Sequence, residues 1–185
     1  MPLIRSIKPP KTQFKDRKNI LFIGGFNHLP NVDAVKYFAN NVMPLLRKRI
    51  PGIKFYIVGS NPSQEVLDLR SEDIIVLGFV DKILPLMEKF KISVAPLRYG
   101  AGIKGKIGSS MAAGLPVVST SLASEGTKAR NNHDFLLADS PEEFCDQIFR
   151  IYFDESLWQR LSNNGLNLVK QNWGKENGYY HLSEI

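Results

Sequence analysis

Six short runs of apolar residues, each closed by glycine, proline or polar residues, recur along the chain: 19–26 (NILFIGGF), 54–59 (KFYIVG), 74–80 (IIVLGFV), 92–97 (ISVAPL), 117–120 (VVST) and 134–138 (DFLLA). Most are apolar at consecutive positions, so both faces are expected to be covered, as in parallel sheets. The segments between them carry apolar residues at helical spacing. Asn31 is read as the cap of a helix that buries Val35, Phe38, Val42 and Leu45/Leu46, with a kink or restart at Pro44 and a stop at Pro51-Gly52. Cations at Arg47, Lys48 and Arg49 suit the carboxyl end of that helix. A short helix is predicted over 63–70, and a second, capped by Asp81, carries Ile83, Leu84, Met87 and Phe90. Ser140-Pro141-Glu142-Glu143 is a capping box with proline at the first helical position, ahead of inward Phe144, Cys145, Ile148 and Ile151. A last helix is predicted over 155–171.

Strand alternating with helix gives an α/β fold, a single Rossmann-like parallel sheet sandwiched by helices. The predicted division is a basic linker over 1–18, one domain over 19–172 and a tail over 173–185. Ligands of such sheets bind beyond the carboxyl ends of the strands. This directs attention to 24–28, 79–81, 98–106 and 120–126. Within 92–120 a strand runs into Arg98, then Gly100, Gly102 and Gly105 with Lys104 and Lys106, then a helix of small residues, then a strand. Glycines admit close approach of a ligand to the backbone, and the first N–H groups of the helix face it. With two lysines added, this turn favours an anion such as a phosphate.

Composition narrows the field. With 185 residues, 43% hydrophobic and 23% charged, the chain has enough material for one domain with a real core. No apolar run is long enough to cross a bilayer, and the N-terminus lacks the apolar core of a secretion signal. The single cysteine, Cys145, fits a reducing compartment, and a cytoplasmic location is expected. The net charge of +6 admits phosphorylated ligands. Arg5, Lys8, Lys11, Lys15, Arg17 and Lys18 read as solvated surface. Aromatic residues do not alternate with basic ones on any strand, so no specific nucleic-acid partner is expected. No Cys/His cluster has metal-ligand spacing. Gly100-x-Gly102-x-x-Gly105 also matches a dinucleotide fingerprint, with Glu125 twenty residues on, which leaves a dinucleotide-dependent oxidoreductase as an alternative.

Several pieces, in order and spacing, resemble the carboxy-terminal, donor-binding half of the retaining GT-B glycosyltransferases of family 4, or group 1. They are Gly24-Gly25 with 30–34 (PNVDA), Val58-Gly59, Gly78-Phe79-Val80, 95–98 (APLR), 100–104 (GAGIK), 111–118 (MAAGLPVV) and Glu125-Gly126. The resemblance implies a nucleoside-diphosphate sugar as substrate, with no metal cofactor. The diphosphate is expected at Gly25, Arg98, Gly100, Gly102, Ile103 and Lys104. The base and ribose are expected at Phe79, Val80, Ser109 and Glu125. It also implies an N-terminal Rossmann-like acceptor domain as partner, an acceptor glycan or lipid, and peripheral membrane contact through the full-length protein. In the family two glutamates with seven residues between them flank the loop and helix; here those positions are Ala101 and Ser109. A serine offers one hydroxyl where a carboxylate offers two acceptor oxygens, which makes Glu125 the candidate replacement. No complete catalytic set is expected in this chain. A non-catalytic nucleotide-binding or interaction module is the other reading.

Overall fold

In the computed structural model, which describes residues 12–100 and 104–173, six parallel strands form one sheet flanked by helices. The strands are β1 (Lys18–Ile23), β2 (Phe55–Val58), β3 (Ile74–Gly78), β4 (Phe90–Ala95), β5 (Val117–Ser119) and β6 (Leu136–Leu137). The helices are α1 (Leu29–Tyr37), α2 (Met43–Arg49), α3 (Gln64–Leu67), α4 (Ile83–Met87), α5 (Lys104–Ala112), α6 (Ser121–Ser124), α7 (Pro141–Phe153) and α8 (Glu155–Trp173). All six predicted strands are present. Their order in space is β3-β2-β1-β4-β5-β6, so the direction of winding reverses between β1 and β4. The central strands are covered on both faces. Ile20 and Phe22 of β1 face a core built on Phe38, Phe55 and Phe144, while Leu21 and Ile23 face Met87, Phe90 and Leu115. Phe38 lies tilted against Phe55 at 4.5 Å and meets Phe144 edge-on at 5.9 Å.

The capping box stands as expected. Ser140 Oγ accepts from the Glu143 amide at 3.1 Å, and Glu143 Oε2 accepts from the Ser140 amide at 3.1 Å. The expected restart at Pro44 is also present: residues 38–42 form a π-helical turn and α2 begins at Met43 with Pro44 in its first turn. The missing N–H and the ring of Pro44 disfavour a continuous α-helix there.

Several expectations need correction. Asn31 does not cap α1. His28 precedes the helix and its carbonyl accepts from the Asn31 amide at 2.9 Å, because Pro30, without an N–H, fits the first turn. Asp81 does not cap α4 either: Lys82 precedes it with no side-chain cap, and the helix is only five residues long. Phe90 belongs to β4, where it pairs with Lys18 of β1. The part of the predicted linker that is described packs onto the domain. Residues 14–16 form a 3₁₀ turn, and Arg17 is fully buried rather than solvated. Its guanidinium lies over the Trp158 ring at 5.1 Å and donates to the carbonyls of Thr12 and Phe90 at 3.3 and 3.4 Å. Burial lowers its pKa to about 10. The tail predicted over 173–185 starts one residue too early, since Trp173 closes α8; residues 174–185 and 1–11 lie outside the described residues. No helix among the described residues is long and apolar enough to cross a membrane.

Candidate functional site at the switch point

In an open parallel sheet the loops leaving the two strands at a winding reversal run to opposite sides and leave a crevice. Here those loops are 24–28 after β1, leading into α1, and the one that leaves β4 at Pro96, described as far as Gly100. Both are tightly held. The Gly24 amide donates to Val58 O at 2.9 Å, and a Cβ on Gly59 would lie 1.7 Å from Gly24 O, so only glycine lets the ends of β1 and β2 approach this closely. Gly100 has φ +101°, and a Cβ there would meet Pro30 Cγ at 2.6 Å. Thr120 anchors the second loop from below: its hydroxyl donates to Leu97 O at 2.7 Å and its amide to Ala95 O at 3.2 Å.

Two polar ties bridge the loops' helices. Arg98 pairs with Asp33 of α1, Nε donating at 2.9 Å and Nη2 to the other oxygen, and its guanidinium lies over the Tyr37 ring at 4.9 Å. The hydrogen bonds to Asp33 raise the Arg98 pKa above its usual value. Arg98 is expected at the diphosphate; the structure pairs it with the Asp33 carboxylate instead. The second tie is deeper. Asn31, which is buried, donates to Gly25 O at 2.6 Å, and its side-chain oxygen accepts from Lys106 of α5. Gly24 makes room for this amine, since a Cβ there would sit 2.7 Å from Lys106 Nζ. The Lys106 pKa is lowered from 10.5 to about 7 by desolvation alone.

Among the other predicted residues, Gly25 is buried in the loop after β1 with its carbonyl engaged by Asn31. Gly102, Ile103 and the Lys104 side chain lie outside the described residues, while the Lys104 backbone opens α5. Ser109 is buried and its hydroxyl donates to Gly105 O at 2.7 Å, so its proton is already committed within the helix. Phe79 is 66% exposed beyond β3, and Val80 is half-buried against Met87. Glu125 is exposed at the end of α6, beyond β5. Phe79 and Glu125 therefore flank the crevice on opposite sides, two strands and one strand away from its nearer wall. Missed from the sequence was the Asn31–Lys106 tie. The signal was an asparagine in the first turn of a helix after Pro30, where a polar side chain has no capping duty. No group of three or more His, Cys, Asp and Glu residues is placed to hold a metal ion among the described residues.

A family model for "Glycosyl transferases group 1" matches residues 17–154. The chain belongs to this family. It is 25% identical over 164 residues to an uncharacterized 44.6 kDa protein in the cps region of Klebsiella pneumoniae, covering 84% of this chain and 42% of that protein. The chain thus spans about two fifths of the curated relative it matches. Among solved structures it is similar to the C-terminal domain of LpcC, a glycosyl transferase group 1 family protein from Francisella tularensis. The TM-score is 0.77 at 15% identity, over 95% of this chain and all (100%) of that domain. It is also similar to S. aureus TarM, crystallised as a variant with Fondaparinux, alpha-GlcNAc-glycerol and UDP (TM-score 0.70, 18% identity, 89% of this chain and 34% of that one). A third is Anabaena HepE in complex with UDP and glucose (TM-score 0.67, 14% identity, 85% of this chain and 45% of that one). At these identities the likeness shows the fold: the Rossmann-like C-terminal domain of a GT-B enzyme.

The dinucleotide alternative loses its footing here. In that fingerprint the third glycine permits close packing of helix on strand. Gly105 lies inside α5 with nothing within 4 Å of where its Cβ would be.

Proposed function

We propose that this chain is the donor-binding half of a retaining glycosyltransferase, holding a nucleoside-diphosphate sugar at the switch point for transfer to an acceptor hydroxyl. The observation that carries this reading is the convergence of two glycine-bearing loops and the N-terminus of α5 on the reversal between β1 and β4. The diphosphate is assigned to the amides that open α5 and to Lys104; charge on the departing diphosphate is met there. The base is assigned to the Phe79–Val80 side. UDP in the TarM and HepE complexes supports a nucleotide of this kind. Transfer is assigned to a protein that also contains an N-terminal Rossmann-like acceptor domain, and the isolated chain binds donor without transferring sugar.

Calorimetric titration with UDP, GDP and their sugars tests this. Binding that is lost in Lys104→Ala supports the reading. Absence of binding by every nucleotide to a folded chain overturns it and favours a second reading, a module that kept the fold and lost the chemistry. One observation favours that second reading: Ser109 gives its hydroxyl proton to Gly105 and has no carboxylate to offer a ribose.

A further inference from the structure

Among the described residues, Lys106 is a cation without a counter-ion. Its Nζ has one polar contact there, the amide oxygen of Asn31, and lies 5.4 Å from the centre of the Phe22 ring. Its stem shares a gap between sheet and α5 with Ile23, Ser93, Ala95 and Ser110, and that gap has no room for a water molecule. The charged groups on the elements packed around it are engaged elsewhere or distant. On α8, which packs on α5, Glu155 lies by Lys91, Arg160 by Asp154, and Lys170, of like sign, is in the last turn. On α1, Asp33 is paired with Arg98 and Lys36 with Glu65. On the strands, Lys18 and Lys91 sit at the opposite end of the sheet, where Lys18 pairs in register with Phe90. His28 lies on the first loop, near Gly100. On α5 the other charge is Lys104, of like sign. A buried ammonium with only a neutral amide for a partner is poorly compensated. Yet this one lies against Gly24, in the first of the two loops that leave the winding reversal, and Lys106 is half-buried rather than fully enclosed.

Resting on the donor-binding reading above, we propose that the ligand's diphosphate supplies the missing counter-charge for Lys106, so that the nucleotide binds together with a proton. Asn31 is then a positioning residue: anchored on Gly25 O, it holds the amine against Gly24. The proton comes from solvent and ends on Nζ, which leaves the ammonium paired with a phosphoryl oxygen. The amine is about half charged near pH 7 and only a few per cent charged near pH 8.5, by its pKa of about 7. The nucleotide then selects the charged fraction.

The test is the dissociation constant of the full chain for the tighter of UDP and GDP, measured between about pH 7 and about pH 8.5. The expected result is a roughly tenfold weakening over that range in the wild type. The Lys106→Met variant should bind more weakly and lose that pH dependence. In Asn31→Asp the new carboxylate keeps Lys106 charged in advance and flattens the profile while the amine remains. This second variant decides the matter if Lys106→Met fails to fold. Wild-type binding that is flat over the range overturns the inference and leaves the donor-binding reading standing. So does a slope that survives in Lys106→Met or, where that variant does not fold, in Asn31→Asp. No binding of either nucleotide at any pH overturns both.

Discussion

Replacing Lys106 by methionine should stabilise the protein at neutral pH, and the gain should fade as pH rises. In the unfolded chain the amine has its ordinary value of 10.5; in the fold it is held near 7. Between those values the unfolded state binds a proton that the folded state does not, so the wild type's stability climbs with pH relative to a variant lacking the group. Burial costs roughly 4 kcal/mol at about pH 7 and roughly 1.5 kcal/mol at about pH 9.5, at about 1.4 kcal/mol for each pKa unit. Methionine removes that cost with little change of volume, but it strips the buried Asn31 oxygen of its donor, which costs about 1 to 2 kcal/mol. The net expectation is a variant more stable by about 2 to 3 kcal/mol near pH 7 and about equal to wild type near pH 9.5. Urea unfolding of both proteins at the two pH values measures it, and titrations common to both cancel in the difference. A stability difference that does not narrow with pH would refute the claim that the amine is desolvated in the fold.

Two further expectations concern the scaffold. Gly59→Ala places a methyl group 1.7 Å from the Gly24 carbonyl oxygen, backbone against backbone. Strands β1 and β2 must part beside the crevice, at a cost of about 3 kcal/mol or more by denaturant unfolding; a loss below about 1 kcal/mol would contradict the contact. Ser140→Ala removes the oxygen that accepts from the Glu143 amide and should cost about 1 kcal/mol, while Ser140→Asp should recover most of it.

Much of this architecture is written locally in the chain. Ile20–Ile23 and Ile92–Ala95 are legible as strands because a strand buried on both faces must be apolar at nearly every position. The Ser140 cap and the Pro44 restart are legible because each depends on atoms within four residues. The readings that failed were local rules overridden from a distance. Asn31 has the chemistry of a cap, but Pro30 claims the first turn and the side chain reaches Gly25 and Lys106 instead. Phe90 has helical spacing from Met87, but the hydrogen-bonding edge of β1 claims it for β4. Arg17 sits in a run of charges, but its guanidinium is drawn under Trp158, which is far away in sequence.

The sequence by itself determined that the chain alternates strand and helix, that its sheet is parallel, and that a glycine- and lysine-bearing turn leads into a small-residue helix. Only the tertiary structure decided which strands are neighbours, and hence where the winding reverses and the crevice opens. It also decided the partners of the cations there: Arg98 takes Asp33, while Lys106 is left with an amide. The physical reason is range. Secondary structure follows from the spacing of side chains along one segment, whereas the charge state of an amine follows from every group the fold brings around it.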